Sequence, residues 1–169
     1  MKDLYVSWDQ YHRLIERLAV QIDESGWQFD AIICLARGGL RVGDVLSRLF
    51  RKPLGVMTTS SYRASGGTAQ GVLKIGDAIS CAEPVTEGRV LLADDLVDSG
   101  VTLQRVVPEL MRRYPTMTEI RTAVLWVKGV SVYRPDYSVE YLPSSPWIHQ
   151  PFESYETMTP ADLKHRAGP

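Results

Sequence analysis

RVLLADDLVDSGVT, residues 89–102, runs from a short apolar stretch into two aspartates and then through a turn of small and hydroxyl side chains. Arg89 to Ala93 reads as a strand buried on both faces, and Thr102 opens a helical pattern that lasts to Tyr114. The joining turn Ser99-Gly100-Val101-Thr102 offers backbone N–H groups, two hydroxyls and the positive end of a helix dipole. That combination suits a phosphate. Asp94 and Asp95 repel a phosphate, but they suit a pair of hydroxyls or a magnesium ion. A phosphate at one end and a diol at the other describe a ribose 5-phosphate, with Asp98 placed to touch whatever is attached at the reactive carbon. Other readings stay open. An Asp-Asp pair after a strand is commonly a solvated turn or a helix cap. A phosphoacceptor aspartate would need acidic residues from other strand ends, and no second acidic cluster follows the other buried strands.

Working outward, the chain alternates apolar runs and amphipathic stretches. Leu4 to Ser7 is a short strand-like opening, and Asp9 to Glu24 carries Leu14, Ile15, Leu18, Ala19 and Ile22 on one helical face. Asp30 to Ala36 is a second buried strand, broken by Arg37-Gly38-Gly39. Leu40 to Phe50 reads as a helix, Pro53 to Ser61 as a strand, and Ile120 to Val127 as a third buried strand. Residues 62–80, rich in Gly, Ser and Thr, read as a loop that can move. After Val139 the rhythm breaks, and Pro143, Pro146 and Pro151 around Trp147-Ile148-His149-Gln150 predict an irregular cap. This order predicts an α/β fold, a parallel twisted sheet flanked by helices, with a small hood from the N-terminal strand and the C-terminal segment. One domain is expected over residues 1–169, with a core at about 9–138, a hood at 1–8 and 139–155, and a tail at 156–169 that reads as a partly ordered terminus. Ligands of open α/β sheets lie beyond the carboxyl ends of the strands. Arg37-Gly38-Gly39, Asp94 to Thr102 and Lys128 all fall at such ends.

Composition narrows the class. Nineteen Lys and Arg against 20 Asp and Glu, a net charge of -1, leave no global field for nucleic acid or an acidic membrane. Cys34 and Cys81 are too few for a disulfide scaffold, and His12, His149 and His165 offer no zinc spacing. No apolar run approaches the roughly 18 residues of a spanning helix. A cytoplasmic protein without a membrane span is expected. The patterns GxxxxGK[ST], GxGxxG and GxSxG are absent.

ADDLVDSGVT resembles the 5-phosphoribosyl-1-pyrophosphate (PRPP) motif of type I phosphoribosyltransferases. The likeness extends to the bacterial xanthine-guanine phosphoribosyltransferases through YVSWD at 5–9, LARGGL at 35–40, SSY at 60–62, VLK at 72–74, Lys128, Arg134-Pro135 and WIHQPFE at 147–153. The resemblance implies magnesium-dependent transfer of phosphoribose from PRPP to N9 of a 6-oxopurine, with release of pyrophosphate, in purine salvage. Asp94 and Asp95 would hold the ribose hydroxyls, with Asp95 also near Mg2+. Asp98 would lie near N7 of the purine as general base or acid. Ser99, Gly100, Val101 and Thr102 would cradle the 5-phosphate, while Arg37, Gly38 and Gly39 would line the pyrophosphate in a loop that often holds a non-proline cis peptide. Ser60, Ser61 and Tyr62 would open a loop that closes over PRPP. Lys128 would donate to O6, Trp147 would stack on the purine, and the backbone near Ile148 and His149 would read its N1–C2 edge. Set beside these are plainer readings, of Lys128 as a surface lysine at a strand end and Trp147 as a plug on the core.

Two positions depart from the resemblance. His149 stands where an acidic residue is usual, and Phe152 stands where a Trp is usual, which leaves the choice among guanine, xanthine and hypoxanthine open. The resemblance also implies a homodimer or homotetramer, with small-molecule substrates as the partners. Two alternatives from other classes are a PRPP-sensing regulator that binds nucleic acid, and a transferase for another base.

Overall fold

Residues 3–61 and 73–164 are described in the computed structural model, with only the backbone at Ser61; Tyr62 lies outside the described residues. The first strand, β1 (Leu4–Tyr5), leads to α1 (Trp8–Glu24) through a capping box. The Ser7 hydroxyl accepts from the Gln10 N–H at 3.2 Å, and Gln10 Oε1 accepts from the Ser7 N–H at 2.8 Å. Along α1 the buried residues are Tyr11, Leu14, Ile15, Leu18, Ala19 and Ile22, the face expected from the sequence plus one tyrosine. There follow β2 (Ala31–Ala36), α2 (Leu40–Phe50), β3 (Leu54–Ser61), β4 (Leu73–Ser80), β5 (Gly88–Ala93), β6 (Leu96–Val97) and α3 (Val101–Arg113). The chain continues through β7 (Met117–Lys128), β8 (Tyr137–Leu142), β9 (Ile148–His149) and a 3-10 turn at Glu153–Glu156.

The main sheet runs β4-β3-β2-β5-β7-β8, with β6 continuing the line of β5 along β7. All its pairings are parallel except β3 with β4. The central strands are apolar throughout because both their faces are covered. Ile32, Cys34, Leu91, Ala93, Ala123 and Leu125 pack with α1 and α2. The alternating set Ile33, Leu35, Val90, Leu92 and Val124 packs with Leu103, Val106 and Leu110 of α3. A separate two-stranded parallel ribbon joins β1 to β9, pairing Leu4 with Ile148 and Tyr5 with His149. This ribbon joins the two segments expected to form the hood. No helix among the described residues is long and apolar enough to cross a membrane.

The structure corrects two expectations. Residues 73–80 are not a loop but β4, an antiparallel edge strand whose Lys74, Gly76, Asp77 and Ser80 break the apolar pattern because an edge has little to bury. The segment around Val139 is not irregular either. It forms β8, paired parallel to β7 from Ala123–Tyr137 to Lys128–Leu142. The link through residues 129–136 holds no helix, so the usual strand-helix-strand rhythm that marks a parallel neighbour is missing. The 3-10 turn runs into the first residue of the expected tail, Glu156, and turns continue to residue 164.

Candidate active site

Because β2, β5 and β7 are parallel neighbours, their carboxyl ends share one edge of the sheet. Asp94 and Asp95 sit there in the gap between β5 and β6. Their backbone is anchored: the Asp94 N–H donates to Ala123 O at 3.1 Å, and Asp95 O accepts from Leu125 N–H at 3.0 Å. The Asp94 side chain turns back on the next residue, its Oδ1 accepting from the Asp95 backbone N–H at 3.0 Å. Burial, and then the charge of Asp95, push the Asp94 carboxyl well above the usual carboxylate range. Burial raises Asp95 too, against the opposing pull of a hydrogen bond from Gln150. Two adjacent carboxylates that resist ionising together are short of positive charge, so the pair fits a cation. Among the described residues no three Asp, Glu, His or Cys side chains gather to hold a metal alone. Magnesium is commonly held by one or two carboxylates together with substrate phosphates, and Asp95 with Asp94 meets that requirement.

The raised values set a stability prediction. A carboxyl whose folded pKa exceeds its unfolded one favours folding only while protonated, so this contribution is lost as pH rises through the folded value. Asp94→Asn should therefore raise the thermal midpoint of the ligand-free protein, by about 2–4 °C for each kcal/mol of relieved repulsion. The gain should grow as pH rises and fade toward pH 4. Differential scanning calorimetry across that range checks it, and a midpoint that falls at neutral pH contradicts it.

Beyond the acidic pair, Gly100 caps α3 with φ +83° and no side-chain cap hydrogen bond. Any Cβ there would press on Ser131 Oγ and the Tyr133 backbone N–H. Ser99 is pinned by its carbonyl, which accepts from the Val132 N–H at 2.9 Å. Ser99, Gly100, Val101 and Thr102 thus wrap the start of α3, whose first-turn N–H groups lack intrahelical acceptors. The loop after β2 contains a cis peptide between Ala36 and Arg37, a form the resemblance implied. Gly38 lies against the acidic pair, since a Cβ there would come 2.5–2.7 Å from the Asp95 carboxylate atoms. Gly39 lies against backbone, 2.6 Å from Ala93 O and 2.8 Å from Leu35 O on the same construction. The Arg37 guanidinium is held by both oxygens of Glu156, at 2.6 and 2.8 Å, in an exposed pair.

The third strand end carries Lys128. It is not a surface lysine: only 6% of its side chain is exposed, and Nζ lies 3.3 Å from Asp98 Oδ1. The same Nζ is 6.0 Å from the centroid of Trp147. Trp147 is no plug, being about half exposed at 47%. Its indole N–H donates to Glu153 Oε1 at 3.0 Å, while Glu153 Oε2 lies 3.1 Å from His149 Nδ1. His149 Nε2 meets Asp3 Oδ2 at 3.2 Å, and its ring stacks on Tyr5 at 4.3 Å. The Ile148 side chain is buried. In the hood ribbon Leu4 N–H donates to Trp147 O at 2.8 Å and Val6 N–H to His149 O at 3.0 Å. By the alternation of a parallel ladder, Ile148's own N–H and C=O face away from β1. Phe152 packs under the Arg41 guanidinium at 4.3 Å and against Tyr11 at 5.7 Å, so it seals the joint between hood and core.

Arg37, Gly38, Gly39, Asp94, Asp95, Asp98, Ser99, Gly100, Val101, Thr102 and Lys128 thus share the carboxyl edge of the sheet, with Trp147 and Ile148 over it from the hood. Ser60 and Ser61 end β3 at that edge. Three residues with contacts here were missed in the sequence reading: Gln150, Glu153 and Glu156. Gln150 and Glu153 lie inside the quoted WIHQPFE, whereas nothing in the sequence marked Glu156.

Comparison with known proteins meets this geometry. The sequence profile of the phosphoribosyl transferase domain matches residues 7–157. A xanthine-guanine phosphoribosyltransferase of Ruegeria sp. is 30% identical over 164 residues, covering 90% of this chain and 86% of that protein. The corresponding Roseobacter denitrificans protein is 34% identical over 116 residues, a match that covers 62% of this chain and only 63% of the relative's length. Among solved structures, a purine phosphoribosyltransferase from Pyrococcus horikoshii superimposes with a TM-score of 0.73 at 32% identity, covering 94% of this chain and 99% of that one. The Helicobacter pylori xanthine-guanine-hypoxanthine enzyme gives a TM-score of 0.75 at 23% identity, over 98% and 100% of the two chains, which bears on the fold alone. With a domain match over most of its length and an acidic pair, the Ser99–Thr102 turn and a glycine loop converging on one sheet edge, the chain belongs to the type I phosphoribosyltransferases.

Proposed function

We propose that the protein transfers the 5-phosphoribosyl group of PRPP to N9 of a 6-oxopurine and releases pyrophosphate. The observation that carries the reading is Lys128: a buried ammonium paired with Asp98 and facing the Trp147 ring, one strand away from the acidic pair. In this reading the Ser99–Thr102 turn takes the 5-phosphate, Asp94 and Asp95 take the ribose hydroxyls, and the backbone of Arg37, Gly38 and Gly39 takes the pyrophosphate. Magnesium held by Asp95 and the pyrophosphate would neutralise charge on the leaving group. Lys128 donates to O6; an ammonium donates and never accepts, so it selects an oxo over an amino group. Trp147 covers one face of the base, and the outward N–H and C=O of Ile148 suit its N1–C2 edge. Asp98 manages the proton on the imidazole side of the purine. The loop opened by Ser60, Ser61 and Tyr62 excludes water. Names of relatives in the xanthine-guanine class support a purine acceptor. Self-association as a dimer or tetramer belongs to the same reading.

The decisive test is pyrophosphate release by the purified protein with PRPP and Mg2+ and, separately, guanine, xanthine, hypoxanthine and adenine. Nucleotide from at least one oxopurine and none from adenine is the expected result. No turnover with any base, or salt-steep binding of nucleic acid in its place, overturns the reading. Lys128→Met should lower kcat/KM for the base about 10- to 150-fold, the weight of a hydrogen bond from a charged donor, while KM for PRPP holds. A fall confined to PRPP would move Lys128 out of the base pocket.

A further inference from the structure

Gln150 lies just beyond β9, three residues after Trp147, and reaches from the hood into the core. Its Nε2 donates to Asp95 Oδ2 at 2.6 Å, a contact between segments 55 residues apart. The other end of the amide, Oε1, is buried and has no hydrogen-bond partner. The hydroxyl of Tyr11, on α1 and within the influence of Asp95's charge, is buried and unpartnered as well. A buried acceptor left unpaired destabilises a fold, so stability does not explain a glutamine here. What the side chain does accomplish is on its donor end, where it fixes one oxygen of a carboxylate that Gly38 already crowds.

We propose that Gln150 is a positioning residue that holds the Asp95 carboxylate and couples it to the hood. The proposal rests on the reading of Asp95 as the carboxylate facing ribose and magnesium. Trp147, Ile148 and His149 immediately precede Gln150, so a base that settles the hood also fixes the amide, and the amide fixes Asp95. By reciprocity, PRPP that orders Asp95 tightens the hood for the base. The two substrates should therefore bind with positive cooperativity that passes through one hydrogen bond.

The test uses the full chain and an unreactive base analogue, 9-deazaguanine, in which carbon replaces N9. Calorimetry gives the dissociation constant of PRPP with Mg2+, with and without the analogue. In the unaltered protein the analogue should tighten PRPP several-fold. In Gln150→Leu, which removes the donor, that cooperativity should vanish and KM for PRPP should rise about 10- to 150-fold, the weight of a hydrogen bond to a charged group. Its thermal midpoint should hold or rise, since the orphaned acceptor goes too. Gln150→Glu, which sets a second acid against Asp95, should bind PRPP more weakly than the leucine variant. Cooperativity that survives in Gln150→Leu overturns the proposal while leaving the functional reading intact. A lowered midpoint with kcat and both KM values worsening in step also overturns it, in favour of a merely structural role. Failure of the unaltered protein to bind PRPP at all overturns both.

Discussion

Asp98→Asn should cut kcat by about 10²- to 10⁴-fold, the span typical of a lost general acid or base, while the dissociation constant for PRPP changes little. The substitution is close to isosteric. Asparagine keeps an oxygen that can accept from Lys128 Nζ, now 3.3 Å from Asp98 Oδ1, so the buried lysine is not left without an acceptor. What disappears is the negative charge and the capacity to take and return a proton. Asp98 also lies one residue before the Ser99–Thr102 turn, and its backbone is unchanged by the substitution, so PRPP should still find its groups. Single-turnover kinetics together with calorimetric PRPP binding separate the two effects. Equal losses in turnover and in affinity would assign Asp98 to binding and take the proton-transfer role away from it.

Two adjacent glycines should fail in different ways. In Gly38→Ala the new methyl meets the Asp95 carboxylate at 2.5–2.7 Å, so a side chain at the centre of the site must turn away. The expected result is a loss of kcat/KM for PRPP of about 10²-fold, in line with misplacement of a reacting group by an ångström, with little change in thermal midpoint. In Gly39→Ala the methyl meets two carbonyl oxygens of the sheet, Ala93 O and Leu35 O, and backbone cannot swing aside. Overpacking of this kind typically costs about 1–3 kcal/mol, which for a chain this size lowers the midpoint by about 2–12 °C. Thermal unfolding and PRPP kinetics on both variants decide the matter. If Gly38→Ala keeps full activity, the Arg37-Gly38-Gly39 loop and the acidic pair are not one site.

Where apolar pattern and side-chain chemistry lay close together in the chain, the sequence was readable. The doubly covered strands β2, β5 and β7 announced themselves through runs such as RVLLA, and α2 has the ends expected of it, Leu40 and Phe50. Asp94 to Thr102 could be read as one candidate unit because the strand, the acids and the turn into α3 are consecutive. β4 and β8 escaped for opposite reasons. The first is an edge with polar residues on it, and the second returns parallel without the helix that normally signals such a return. Lys128 was legible by position, yet its burial was not, because nothing local shows that Asp98 and Trp147 meet it from other segments. Gln150 and Glu156 make contacts across 55 and 119 residues, and neither carries a local pattern that reports its partner.

The gap between β5 and β6 has a consequence for how this site tolerates change. Ala93 faces Ala123 and Leu96 faces Trp126, so the chain leaves the ladder for Asp94 and Asp95 and rejoins it in step. The acidic pair is thus a pause of fixed length inside one line of pairing. Inserting or deleting a single residue there would turn Leu96 and Val97 to the opposite faces of the sheet and carry Asp98, Ser99 and the head of α3 with them. A change of side chain at either position leaves that spacing intact, but the number of residues between Ala93 and Leu96 is locked by the strand beside them.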